Sequence, residues 1–105
     1  MGMTDFQIVV AEDGGPSTLR VSGEIDLAVA DDLRQAGLSC IESDAVGLRV
    51  DLGDVTFIDS TGLGALVQLR TAARDKDKLL QLVNVPDEVS RMLQLTGLSG
   101  TFEVA

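Results

Sequence analysis

The chain has no histidine, no tryptophan and no tyrosine, one cysteine, two prolines and only 8 basic residues among its 105. Without histidine neither a Ser-His-Asp triad nor a histidine-ligated metal can be assembled, and one cysteine supplies no thiolate cage. Two broad enzyme classes drop out, and the chain is read as a binding module with no catalytic residue, no cofactor and no metal ligand. Cys40 has no disulfide partner within the chain. With apolar neighbours on a helical stretch, it is expected to be a small buried hydrophobe in a reducing compartment rather than a reactive thiol. Against so few basic residues stand 17 acidic ones, and the formal charge of -9 repels nucleic-acid phosphates and anionic lipid surfaces. Nucleic acid is therefore a poor partner. No apolar run approaches the roughly 20 residues that span a bilayer, and no basic-then-apolar segment opens the chain. The expectation is a soluble cytoplasmic protein that does not insert into membranes.

What remains is globular material: 45% hydrophobic and 24% charged residues, enough for one domain over residues 1–105. Only three residues are aromatic, all phenylalanine, so the core must be built from Leu, Val, Ile and Ala. Phe6 to Ala11 reads as a strand, and Glu12 to Ser17 as a turn rich in glycine and proline. Thr18 to Ile25 is a second strand with Leu19, Val21, Gly23 and Ile25 on one face, paired antiparallel with the first. After Asp26, the spacing of Val29, Leu33, Ala36, Gly37, Cys40 and Ile41 predicts a helix. Val46, Leu48, Val50 and Leu52 alternate with polar residues as a strand, a turn is expected at Gly53 and Asp54, and Val55, Phe57 and Ile58 follow as an apolar group. A second helix should begin near Asp59 to Thr61 and run to about Arg74, burying Leu63, Leu66, Leu69 and Ala73. Lys76 to Lys78 forms a polar loop, and Leu79 to Val83 a strand covered on both faces. Pro86 suits the first turn of a third helix whose buried stripe is Val89, Met92, Leu93 and Thr96, with Gly97 as its C-terminal cap. Phe102 and Val104 add a last short strand. The order β-β-α-β-α-β-α-β implies an α/β domain with a mostly parallel mixed sheet and crossover helices.

Two phosphate-handling readings fail on particular residues. Asp59 to Gly64 (DSTGLG) has the look of a glycine-rich phosphate loop, but no Gly-Lys-Ser/Thr follows it. A receiver domain, another five-stranded α/β module of this size, needs an acidic pair after its first strand and a late lysine. Here Glu12 and Asp13 fall in a hairpin-like loop, and no lysine lies beyond Lys78. Asp51 and Asp54 are explained by turn and strand-end hydrogen bonding.

A helix N-terminus leaves backbone N–H groups unpaired and carries partial positive charge, so it favours a capping side chain and tolerates an added phosphate. Ser60 or Asp59 fits the capping role. Gly62 and Gly64 in the first turn either let another backbone approach Ser60 or allow close packing on the sheet, and Leu63 between them is either core or an exposed apolar contact.

The stretch Val50 to Val67 (VDLGDVTFIDSTGLGALV), preceded by Val21 to Leu27 (VSGEIDL), resembles the STAS domain family, in particular bacterial anti-sigma factor antagonists, over nearly the whole chain. The resemblance implies a STAS-type single domain and a partner switch. By it, Ser60 takes the position of the family's phosphorylated serine. Asp26, which also suits the N-cap of the first helix, takes that of the aspartate beside it, and Asp59, Thr61, Gly62, Leu63 and Gly64 complete the partner-binding surface. The implied partners are an anti-sigma factor with serine kinase activity, bound when Ser60 is unmodified and released when it is phosphorylated, and a serine phosphatase that resets the switch. The ATP and magnesium belong to the kinase, and the free protein is expected to be a monomer. The alternatives are a non-catalytic STAS subunit of a transporter or lipid-trafficking complex and a scaffold of a signalling complex.

Overall fold

The computed structural model describes residues 6–12 and 14–104; Asp13, within the expected first turn, lies outside the described residues. In chain order the elements are β1 (Gln7–Ala11), β2 (Ser17–Ile25), α1 (Leu27–Glu42), β3 (Gly47–Ile58), α2 (Ser60–Asp75), β4 (Leu79–Val83), α3 (Asp87–Leu95) and β5 (Glu103–Val104). They form one sheet in the order β1-β2-β3-β4-β5. β1 runs antiparallel to β2 and the other neighbours are parallel, as the alternation of strands and helices requires.

One face of this sheet makes the core. Leu19, Val21 and Ile25 of β2, Leu48, Val50 and Leu52 of β3, and Leu80 and Leu82 of β4 are buried beneath Leu33 and Ile41 of α1 and Leu66 and Leu69 of α2. The opposite face is largely open: Arg20, Glu24, Arg49 and Leu79 are all exposed. The expectation that β4 is covered on both faces is thus corrected, since Leu79 is 54% exposed. A run such as LLQLV has no polar residue strong enough to mark its uncovered side. Val46 is also corrected, lying before β3 and exposed.

The larger correction concerns Gly53 and Asp54, which do not end a strand. β3 runs through them as 12 continuous residues. Its register with β2 slips twice: Arg20 pairs with Asp51 but Ser22 with Asp54, and Gly23 pairs with Val55 but Glu24 with Phe57. Each slip is one extra residue on β3, a bulge. The Asp51 carboxylate holds the first by accepting from Gly53 N–H at 2.9 Å, the local hydrogen bonding that otherwise makes a turn. Because side chains alternate with period 2, each extra residue flips the phase. Buried positions therefore run Leu48, Val50, Leu52, then Val55, then Ile58, and Phe57 is turned outward.

The helix ends follow ordinary rules. Lys78, in the expected polar loop, donates from Nζ to the carbonyls of Ile41 (2.7 Å) and Ser43 (2.6 Å), satisfying acceptors at the end of α1. Pro86 is the N-cap of α3 rather than a first-turn residue. Thr96, placed in the buried stripe, is exposed and its hydroxyl donates to the Met92 carbonyl at 2.7 Å. Gly97 closes α3 at φ +75°. Its N–H donates to the Gln94 carbonyl and that of Leu98 to the Leu93 carbonyl, the paired bonds of a Schellman motif. Cys40 is buried, and burial pushes its thiol above the ordinary value, as befits an unreactive sulfhydryl.

Candidate functional site

β2 and β3 are parallel neighbours, and their last residues, Ile25 and Ile58, are register partners. The N–H of Asp59 donates to the Ile25 carbonyl at 3.1 Å, tying the two strand ends together. The next residue of each strand is an aspartate, and each aspartate caps the helix that follows. Asp26 accepts from Ala28 N–H at 3.0 Å to start α1. Asp59 accepts from Gly62 N–H at 3.0 Å to start α2. Two carboxylates and two helix N-termini are thereby placed side by side at the C-terminal end of the parallel strands.

The capping question is settled in favour of Asp59, and this decides what the two neighbouring hydroxyls do. Thr61 Oγ1 donates to Asp59 Oδ1 at 2.5 Å. Ser60, the first residue of α2, is exposed, and its hydroxyl takes part in no hydrogen bond among the described residues. The Thr61 hydroxyl, and then the Gly62 N–H, hold the Asp59 carboxyl below its ordinary value. A depressed folded-state pKa contributes stability that is present above the unfolded value and is lost as pH falls through the lowered folded one. Asp59→Asn keeps an acceptor oxygen for the cap but removes its charge from the helix N-terminus, and is accordingly expected to cost a few tenths of a kcal/mol to about 1 kcal/mol near neutrality, the gap narrowing once the medium is acid enough to protonate the native carboxyl. Urea melts at neutral and acid pH check this, and a gap that widens in acid contradicts the assignment.

The site residues expected from the sequence divide by exposure. Asp26 and Asp59 are half-buried, Ser60 and Thr61 are exposed, and Gly64 is half-open with nothing within 4 Å of where a Cβ would stand. These share one surface. Leu63 does not: it is 2% exposed and belongs to the core, so its side chain is withdrawn from the partner-facing set. A first-turn leucine between two glycines must point inward if the helix is to be anchored at all. Gly62 is buried too, where a Cβ would lie 2.7 Å from both Ile25 Cγ2 and Ile58 Cγ1. Its role is packing.

Two apolar features beside these residues escaped the sequence reading. Leu27, the first residue of α1, is 76% exposed next to Asp26. On the other side, a groove of about 640 Å³ opens between the end of β3 and α3, lined by Val55, Phe57, Ile58, Pro86, Val89 and Met92, with Asp59 and Ser60 also on its wall. The Gly53-Asp54 pair inside an apolar run signals the first bulge, which brings Val55 to the core face; the second, between Val55 and Phe57, is the one that turns Phe57 outward, and no turn residue marks it.

Residues 8–104 match the family model described as "Mlab, STAS domain". The anti-sigma-B factor antagonist of Listeria monocytogenes is 34% identical over 84 residues, covering 80% of this chain and 74% of that protein. Among solved structures, an anti-sigma factor antagonist from Mycobacterium paratuberculosis superposes with a TM-score of 0.84 at 30% identity, covering 95% of this chain and 85% of that one. The Bacillus cell fate determinant SpoIIAA, in its phosphorylated form, has the same fold at a TM-score of 0.70 and 19% identity, covering 96% of this chain and 91% of that one.

Proposed function

Because the chain belongs to the STAS domain family, we propose that it is an anti-sigma factor antagonist that docks on its partner through the surface around Ser60 and is switched off by phosphorylation of that serine. The observation carrying this reading is the division of labour at the start of α2. Asp59 supplies the cap and engages the Thr61 hydroxyl, which leaves Ser60 as the exposed, uncommitted hydroxyl of the pair. A kinase needs such a group within reach. Relatives that are 34% and 30% identical to this chain carry the name anti-sigma-B factor antagonist, which supports an anti-sigma factor as the partner.

The partner is an anti-sigma factor that is itself the serine kinase, with a serine phosphatase reversing the modification. The chain contributes no catalytic group of its own. No helix among the described residues is long and apolar enough to cross a membrane, and the cytoplasm, where sigma factors work, is the proposed location. The unmodified surface presents Asp26, Asp59, Ser60, Thr61 and Gly64, with Gly62 and Leu63 holding the helix start in place from beneath.

Incubation with kinase-type anti-sigma factors and ATP, followed by mapping of the modified residue by mass spectrometry, tests the assignment. Modification is expected at Ser60. Modification at Thr61 displaces the site. A cognate kinase that binds the chain yet leaves it unmodified favours a permanently docked subunit of a transport or signalling assembly.

A further inference from the structure

The groove beside Ser60 is larger than a surface irregularity and mostly apolar: Val55, Phe57, Ile58, Pro86, Val89 and Met92 line it, while Asp59, Ser60, Glu88 and Arg91 supply its polar rim. We propose that this groove receives an apolar segment of the anti-sigma factor, making it the affinity-bearing half of the docking surface whose regulated half is Ser60; the inference rests on the function proposed above.

Three observations converge on that occupant. First, the groove and the acceptor serine are continuous, because Ile58, Asp59 and Ser60 all belong to its wall. A segment lying in the groove lies against Ser60. Second, Phe57 is 47% exposed in a chain with only three aromatic residues. It is the second bulge of β3 that turns it outward, and bulges re-aim side chains next to functional sites. A partly exposed aromatic beside a pocket is the kind of residue that anchors protein interfaces. Third, charge selects the partner's chemistry. Asp59 and Glu88 flank the groove against the single cation Arg91, Asp26 caps the neighbouring helix, and the whole chain carries -9. The complement is an apolar segment flanked by basic residues.

This arrangement also explains why a single phosphate can undo the complex. A dianion on Ser60 stands on the wall of an apolar groove, so an occupant must strip water from it without supplying enough positive charge in return. Groove and switch act on the same partner segment.

The test measures affinity for the anti-sigma factor that phosphorylates the wild-type chain, using Phe57→Ser, Phe57→Leu and, as a control outside the groove, Leu95→Ser, whose side chain is 76% exposed. Phe57→Ser is expected to weaken binding about tenfold or more, Phe57→Leu to restore much of it, and Leu95→Ser to leave it unchanged. Thermal melts confirm that each variant is folded. If Phe57→Ser binds like the wild type while Ser60→Asp still binds weakly, the groove proposal is overturned and the Ser60 reading stands. If the wild type does not bind that anti-sigma factor at all, both are overturned. Sedimentation of the variants covers the remaining occupant: a wild-type dimer that Phe57→Ser dissociates, with partner affinity intact, assigns the groove to a second copy of this chain and overturns the proposal.

Discussion

Phosphorylated Ser60 will bind the anti-sigma factor about a hundredfold more weakly than the unmodified protein, a difference of about 2.8 kcal/mol, while the domain itself remains as stable as before. The two halves of this expectation have separate causes. Phosphate adds about -1.5 to -2 charges at neutral pH. Within the free domain that charge is placed at the N-terminus of a 16-residue helix, where the partial positive charge of unpaired N–H groups favours it by a few tenths of a kcal/mol to about 1 kcal/mol. The neighbouring Asp59 carboxylate works against this. Its pKa is already lowered, so it stays ionised at neutral pH. The two effects are of similar size and opposite sign, and an exposed position on the surface shields both. Stability should therefore move by no more than about 0.5 kcal/mol.

At the interface the charge is not offset in full. Asp26 and Asp59 make the surface acidic before modification, so docking excludes water from a cluster of anions whose mutual repulsion the phosphate increases, and the phosphate itself must be desolvated. Ser60→Asp carries one charge without the phosphate's bulk and should lose about tenfold, or about 1.4 kcal/mol. Ser60→Ala should bind like the unmodified protein and resist kinase-driven release. Titration calorimetry with the four forms separates them, and salt separates the causes. Repulsion between exposed charges is screened within about 10 Å at 0.1 M ionic strength, whereas the desolvation cost is not. The deficit of Ser60→Asp should shrink at high salt while the phosphoprotein keeps most of its own. Equal affinity for Ser60→Ala and Ser60→Asp contradicts the mechanism outright.

The sequence is most legible where periodicity and capping agree. The three helices and five strands follow in the expected order, and the two capping aspartates fall at the turns from strand to helix because a carboxylate there satisfies N–H groups that no backbone carbonyl can reach. Where it misleads, the cause is local chemistry with two uses. Gly53 and Asp54 carry the residues of a turn, yet the Asp51 carboxylate folds the same chemistry into a bulge. The tertiary pairing of β3 with β2, which continues to Ile58, then overrides the local preference to end the strand. The second bulge, between Val55 and Phe57, has no such mark in the sequence, and because it decides which way Phe57 points, it hides the groove. Leu63 is ambiguous in sequence for another reason: a helix start exposes one side and buries the other, and one leucine between two glycines does not state which.

Those two glycines, indistinguishable in sequence, should respond in opposite ways to the same methyl group. At Gly62 an added Cβ meets Ile25 Cγ2 and Ile58 Cγ1 at 2.7 Å and the Ile25 carbonyl oxygen at 3.1 Å. The two isoleucines are paired strand ends buried in the core, so they cannot retreat, and α2 must lift. Gly62→Ala should lower stability by roughly 1–3 kcal/mol, the usual cost of overpacking, despite a helix propensity that favours alanine by up to about 1 kcal/mol. Lifting α2 also strains the Asp59 N–H to Ile25 carbonyl bond that fixes Ser60 beside β2. Partner binding should therefore fall as well. At Gly64 nothing lies within 4 Å, and Gly64→Ala should be neutral or stabilising by up to about 1 kcal/mol. It nonetheless adds bulk to the side of the helix proposed to meet the partner, so any loss of affinity there appears without a loss of stability. Urea melts of the two variants, read beside their affinities, test the division between packing glycine and docking glycine. Equal urea midpoints for Gly62→Ala and Gly64→Ala would mean that α2 is not seated on Ile25 and Ile58, and with that seat would go the placement of Ser60 at the surface.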